Sequence, residues 1–262
     1  IVYTMRQIRF LSGLFLTILY FSGCSGKDAE LVTESPAQLK ITAGIDNQTL
    51  TPFLENDAIG VYPVSYNGNT PGILGDISNP MNVKYTYDGK LWFPDPGKDI
   101  LLDEVPMDMY AYYPYDETMS GSMDKLNLSA YPFDLSGNQQ NTIKDFLWAR
   151  IENISDVNHS AGLLFTHVLT RFEINLFFDQ PQAGPDVVIH NLKTFCEIDM
   201  HNGIATASGG NEKKIIPGPL AANTDMTVFS FEAILPPQQV ASGTPLFSIS
   251  FHNETVIYIL PL

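Results

Sequence analysis

Apolar and polar residues alternate along most of the chain, in short runs divided by Gly, Pro, Asn and Asp. In QLKITAG (38–44), Leu39, Ile41 and Ala43 alternate with polar neighbours. That period of two buries one face of a strand. AIGVYPV (58–64) is short, β-branched and bounded by turn formers. NVKYTYDGKLWF (82–93) reads as two strands around an Asp88-Gly89 turn, a strong hairpin signal. VPMDMYAYYPY puts Met107, Met109, Ala111 and Tyr113 on one face, and its strand ends at Pro114, which cannot donate to a ladder. MTVFSFEAIL does the same with Phe229, Phe231, Ala233 and Leu235, and PLFSISF with Phe247, Ile249 and Phe251. HNET (252–255) then turns the chain into VIYIL.

Two stretches are less regular. GLLFTHVLTRFEINLFF (162–178) alternates from Val168 onward, yet Phe165, Leu169, Phe172 and Leu176 also sit at helical spacing. Its β-branched Thr166, Val168 and Thr170 crowd a helix and suit a pleat, so a strand is expected. QQNTIKDFLWARI (139–151) has room for one or two helical turns. Strands every 8 to 12 residues with turn chemistry between them predict an all-β sandwich architecture. A lull in hydrophobicity at ENISDVNHSAG (152–162) marks the best place for a linker between two domains, 38–157 and 158–262.

The N-terminal region has a different character. Met5 is taken as the start of translation, with residues 1–4 as upstream sequence. Arg6 and Arg9 precede an apolar run from Phe10 to Phe21, about twelve residues and shorter than the roughly 20 a membrane span needs. Ser22-Gly23 then supplies small residues before Cys24. This is the arrangement of a lipoprotein signal over residues 1–23, in which the Cys24 thiol takes a diacylglyceryl group before cleavage. Phe21 stands where Leu is usual. Several acyl chains on Cys24, palmitate among them, would anchor far more firmly than one. Residues 24–37 are small and polar, and read as a tether. Loss of residues 1–23, which hold Arg6 and Arg9 and no acid, moves the formal charge from −15 to −17. So acidic a body disfavours nucleic acid as a partner. Cys196 is the only other cysteine, so no internal disulfide is expected in the mature chain. The apolar ending VIYILPL suggests a fragment whose last strands are missing.

Candidate chemistry is sparse. The histidines at 159, 167, 190, 201 and 252 form no close metal-binding pair, although His190, His201 and Asp199 could meet in a sheet. No nucleophile elbow, phosphate loop or dinucleotide pattern is present. Ser208-Gly209-Gly210-Asn211 is read as a turn. Asp103, Glu104 and Asp108 lie near Trp92 and several tyrosines in sequence, as a glycan cleft would require, but a solvated acidic loop beside core aromatics is the simpler and preferred reading. Cys196, in NLKTFCEIDM, reads as a buried inert thiol. No catalytic residue, metal or cofactor is expected.

The ordered set LKITAGIDNQT, ENDAIGVYPV, NVKYTYDG, YAYYPYD, DFLWAR, LLFTHVLTRFEINL and ILPPQ, following a lipoprotein signal, resembles the fimbrillin family. These are type V pilus subunits with their accessory and anchor relatives. Each motif is only a strand with its turn, and the specificity lies in their order over nearly the whole mature chain. The resemblance implies two consecutive transthyretin-like β-sandwiches, export to the outer membrane and lipid anchoring. Read on its own, FTHVLTRFEI opens the second domain, with His167 expected in a hydrogen bond at the seam between domains. The resemblance also implies that other pilus subunits are the partners. In the family an arginine-specific protease removes the first strand, and a strand of the next subunit fills the vacated groove by β-augmentation. Here GIDNQTLTPFLENDAIG contains no Arg, and Thr49-Leu50 stands where many relatives have Thr-Arg. Past the signal only Arg150 and Arg171 remain, both inside expected elements. An anchor, tip or accessory subunit, or a non-polymerising surface lipoprotein, therefore fits better than a trimmed shaft subunit, and an adhesin of this kind would bind a host or bacterial surface ligand. The alternative is a surface glycan-binding or glycan-degrading lipoprotein. The placement of Trp92, Trp148 and the tyrosines divides the two readings, since exposed coplanar rings beside paired acids would favour the second. For a fragment that lacks its last strands, an unpaired sheet edge or exposed apolar groove is expected near the end of the chain.

Overall fold

A computed structural model of the chain describes residues 37–46, 53–74, 81–120, 127–140, 145–209, 213–252 and 254–261. The expected signal, Cys24, all of the tether but Ala37, and Thr49-Leu50 lie outside these residues. Among the described residues the regular structure is β-strand and one 3-10 turn, with no α-helix.

The first half contains β1 (Ala37–Gln38), β2 (Lys40–Ile45), β3 (Ala58–Ser65), β4 (Val83–Tyr87), β5 (Trp92–Pro94), β6 (Leu101–Leu102) and β7 (Met107–Tyr113). A 3-10 turn at Glu117–Met119 follows, then β8 (Tyr131–Asp134), β9 (Gly137–Asn138), β10 (Leu147–Ile154) and β11 (Ser160–His167). Seven strands form one sheet in the order β2-β11-β10-β7-β3-β4-β5. Pairing is antiparallel except for β2, which runs parallel to β11 from Lys40↔Ser160 to Ile45↔Phe165. The sheet curls until β2 meets β5. Inside the curl lies a core that includes Leu39, Ile41, Ile59, Val61, Trp92, Met109, Ala111, Leu163 and Phe165.

The Asp88-Gly89 signal is realised as the β4–β5 turn. Asp88 Oδ1 accepts from the backbone N–H groups of Lys90 and Leu91 at 2.8 and 2.7 Å, and Gly89 has φ +93°. Strand β7 ends at Tyr113, just before Pro114. Its expected face, with Met109 and Ala111, is in the first core, but Tyr110 and Tyr112 on the other face are buried as well. They enter a second core with Tyr62, Val64, Phe146, Cys196, Ile198, Met200 and Ile234. Of the segment 139–151, where helical turns are allowed, residues 141–144 lie outside the described ones, and from Leu147 onward the chain is β10. Leu147 and Ala149 enter the first core while Phe146 and Trp148 pack on the second, and only a two-residue period serves both.

The second half contains β12 (Thr170–Phe177), β13 (Asp186–Ile189), β14 (Phe195–Asp199), β15 (Ile204–Ser208), β16 (Ile215–Ile216), β17 (Gly218–Ala222), β18 (Val228–Leu235), β19 (Pro245–Phe251) and β20 (Glu254–Ile259). The stretch 162–178 is extended as expected but is divided between two sheets. It leaves the first at His167, buries Val168 and Leu169 in the second core, and enters β12. The lull at 152–162 spans the turn between β10 and β11, which pair in the same sheet. Strands β8 and β9 of the first half pair with β14 and β16 of the second. A three-stranded sheet β12-β18-β17 and a five-stranded sheet β20-β19-β13-β16-β9 enclose a third core of Ile174, Leu176, Val187, Ile189, Phe229, Phe231, Ala233 and Phe247. Each fully buried large side chain in such cores contributes roughly 1.5–3 kcal/mol.

An open flank between two sheet edges

The third core is incompletely covered on one side, and the pairing register identifies where. Strand β19 pairs with β20 as Phe247↔Tyr258 and Ile249↔Val256. Cross-strand partners point to the same face. Phe247 is in the core and Ile249 packs against it, so Tyr258 and Val256 face the core side too. Yet Val256 is 49% exposed and Tyr258 41%. Tyr258 lies flat against Phe247, with centroids 4.7 Å apart and planes 9° from parallel. Among the described residues, no ring covers its other face.

The cause is the width of the opposing sheet. Strand β12 is the edge of the three-stranded sheet and lies over β19, where Phe172 meets Phe247 edge-on at 6.4 Å. Phe178, just past β12, meets Phe251 at 5.5 Å. Beyond β12 no described strand continues the sheet over β20. The flank is therefore bounded by two free backbone edges, β12 above and β20 below. One more strand beside β12 would cover Val256 and Tyr258 and satisfy a row of unpaired amides and carbonyls.

The two edges differ in chemistry. Two outward side chains of β12 are tied back to β18, while Phe177 stays 77% exposed. Arg171 Nε donates to Glu232 Oε2 at 2.8 Å, and Ser230 Oγ bonds Asn175 Oδ1. They leave the backbone edge clear without covering it. Strand β20 exposes Val256, Ile257, Tyr258 and Ile259 in succession. Its ends are fixed: His252 turns the chain at φ +51°, and Leu260 N donates to Thr244 O at 2.9 Å. The apolar run VIYIL made an exposed edge foreseeable. Its partner edge across the core was hidden, because which strand lies over which is set by the fold.

The other candidate residues have structural surroundings. Trp92 is in the first core, edge-on to Phe53 at 5.1 Å. Trp148 donates from Nε1 to Met200 O at 2.8 Å, and its ring is covered by Gly203, where a Cβ would come within 2.5 Å of the indole. The two tryptophans thus form no open platform. Asp108 is buried and accepts from Arg150 Nη2 at 2.7 Å and Asn153 N at 3.1 Å. Asp103 caps its own turn through Val105 N. His201 Nδ1 bonds Asp199 Oδ1 at 2.8 Å, whereas His190 Nε2 bonds Ser248 Oγ at 2.8 Å. His167 Nδ1 bonds Asp145 Oδ2 at 2.6 Å. Cys196 is buried, and burial pushes its thiol up to about 12. Among the described residues no cluster of His, Cys, Asp and Glu is arranged to hold a metal.

Comparison with known proteins agrees with the motif order. A family model described as fimbrillin-like matches residues 42–261. A Bacteroides uniformis protein named as a candidate fimbrium subunit, Fim1C, is 25% identical over 230 residues, covering 81% of this chain and 71% of its own length. A Bacteroides ovatus protein named as a candidate fimbrium tip subunit is 31% identical over 137 residues, 46% of this chain but only 24% of that longer protein. The fold is similar to crystal structures of candidate cell-adhesion proteins from the same two species. The B. uniformis structure has a TM-score of 0.61 at 23% identity and covers 86% of this chain and 85% of that one. The B. ovatus structure has a TM-score of 0.65 at 19% identity and covers 87% of each.

Proposed function

The chain belongs to the fimbrillin-like family, and from that premise we propose that it is a non-enzymatic cell-surface subunit or adhesin that joins other fimbrial subunits by strand addition. The observation that carries this reading is the flank between β12 and β20, where core-facing Val256 and Tyr258 stay half exposed beside two free edges. An incoming strand gains backbone hydrogen bonds along one edge and buries alternate side chains on the open core.

The first strand stays in place in this account. Leu39, Ile41 and Ile45 of β2 fill the first core, and the segment after it offers no arginine to a trimming protease. That favours an anchor, tip or accessory position over the shaft, in keeping with the tip-subunit name of the longer relative. Cys24 holds the protein to the outer membrane through its lipid.

The test is incorporation into fibres. The full chain is expressed with the fimbrial subunits of a Bacteroides host, and sheared fibres are probed for it. The wild type is expected in the fibre fraction, and the Val256→Lys/Tyr258→Lys double variant is expected to remain cell-bound and folded but absent from fibres. Incorporation of the double variant at the wild-type level would refute strand addition at this flank. Cys24→Ala is expected to abolish palmitate labelling and release the protein from the outer-membrane fraction. Membrane retention without label would refute the lipid anchor.

A further inference from the structure

A second concave site lies where β4, the turn after β7 and β8 come together. The groove has a volume of about 470 Å³, within the roughly 300–1,000 Å³ of small-molecule sites. Tyr115, Tyr131 and Phe133 supply half-buried rings, and Lys84, Asp116 and Glu117 supply charge. Phe146, stacked on Tyr112 at 5.7 Å, joins the wall to the second core.

The turn that carries three of these residues is held on all sides. Tyr115 N donates to Ala58 O at 2.8 Å. Asn82 Nδ2 donates to Asp116 O at 3.0 Å and to the Tyr112 hydroxyl at 2.8 Å. That hydroxyl in turn donates to Asp116 O at 2.9 Å. Gly60 makes this packing feasible, since a Cβ there would fall 2.1 Å from the Tyr112 ring. The Asp116 carboxylate accepts from Tyr131 Oη at 2.6 Å and Thr118 N at 2.8 Å. Partial burial works against its ionisation, but these hydrogen bonds outweigh it and hold the group below the usual carboxylate range. Lys84 Nζ sits 5.6 Å from the Tyr115 ring centroid and takes part in no ion pair among the described residues. The site is thus preorganised, with an ammonium free to donate, carboxylates able to accept, and aromatic carbon between them.

Both signs of charge in one groove select against a simple ion. An anion drawn to Lys84 meets Asp116 and Glu117, and a cation drawn to the acids meets Lys84. A neutral polyol satisfies all three, because each hydroxyl both donates and accepts. The C–H face of a pyranose ring covers aromatic carbon at the same time. We propose that this groove binds a neutral sugar unit of a surface glycan, through Lys84, Asp116 and Glu117 to its hydroxyls and Tyr115, Tyr131 and Phe133 to its apolar face. The proposal rests on the preceding reading only for the display of the chain at the cell surface. It gives the adhesive role a ligand class, on residues other than those of the assembly flank.

The test uses the full chain and the methyl glycosides of glucose, galactose, mannose and N-acetylglucosamine, with N-acetylneuraminic acid as a charged control, in saturation-transfer NMR at about 10 mM ligand. At least one neutral glycoside is expected to take up saturation and to shift the Lys84 and Tyr115 amides. Lys84→Ala and Glu117→Gln, whose side chains support no described core, are each expected to weaken that binding about fivefold or more, with an unchanged melting temperature. The Val256→Lys/Tyr258→Lys variant is expected to bind like the wild type. No transfer to any neutral glycoside, transfer to the charged sugar alone, or binding indifferent to both groove variants would overturn the proposal. A silent groove in a protein that still enters fibres would leave the fimbrial reading standing, and sugar binding by a protein excluded from fibres would do the reverse.

Discussion

Single side chains close the gaps that backbone pairing leaves in this molecule. Gln139 is buried beside β18, where its Oε1 accepts from Ile234 N at 2.9 Å and its Nε2 donates to Ile234 O at 3.1 Å and Leu135 O at 2.9 Å. The amide acts as one more rung between the second and third cores. Gln139→Leu strands three buried backbone groups, and a loss of roughly 2–4 kcal/mol is expected in urea unfolding at neutral pH. A loss below about 0.5 kcal/mol would mean that water or local rearrangement replaces the rung. A second residue-scale expectation concerns pH. Partial burial of Asp134 opposes its ionisation, but Lys213 Nζ at 2.8 Å and the Ser136 amide outweigh it and bring its carboxyl down to about 2. A depressed folded-state value stabilises the protein above the ordinary value of 3.8, and that contribution is lost as pH falls through about 2. The stability difference between wild type and Asp134→Asn should therefore be present at pH 7 and vanish near pH 2. It should be small throughout, because the pair is largely exposed. A difference that grows on acidification would contradict the assignment.

At the scale of elements, strands were legible wherever one face is buried and the other wet. Strands β2, β18 and β19 and the β4–β5 hairpin follow directly from alternation and turn chemistry. Strand β7 was half legible. Its tyrosines resemble a solvent-facing row in sequence, but Tyr110 and Tyr112 are buried because a second layer, β8-β14-β15, covers that face. Alternation within a strand carries no information about such a layer. The same limit explains 162–178, where helical and strand periods overlap because Val168 and Leu169 fill a core between two sheets. Parallel pairing of β2 with β11, about 120 residues apart, left no local trace. Of the assembly flank, the exposed apolar strand was readable, but the uncovered core beneath it was not. Trp148 and Gly203 give an element-scale test of the second core. Gly203 has φ +67°, and a Cβ there clashes with the indole, so Gly203→Val should cost roughly 2–4 kcal/mol and shift tryptophan fluorescence to the red. Wild-type stability and emission would refute the packing of that turn on Trp148.

At the scale of the molecule, the described residues form three cores with one open flank, which divide the labour. In the curled sheet, Leu39, just before β2, and Ile41 of β2 fill its core. The second core joins the halves, since strands from both enter it. The third core is left open along one flank, and that flank is where the proposed partner strand would dock. The most direct measurement is amide hydrogen exchange on the full chain, free and within isolated fibres. In the free protein, alternate amides of β12 should exchange rapidly, while the β2 amides that pair with β11 are slow. In fibres, β12 and the apolar side of β20 should gain protection of at least about a hundredfold, with β2 unchanged. Fibres in which β12 and β20 exchange as fast as in the free chain, or in which the new protection appears around a displaced β2, would contradict the account.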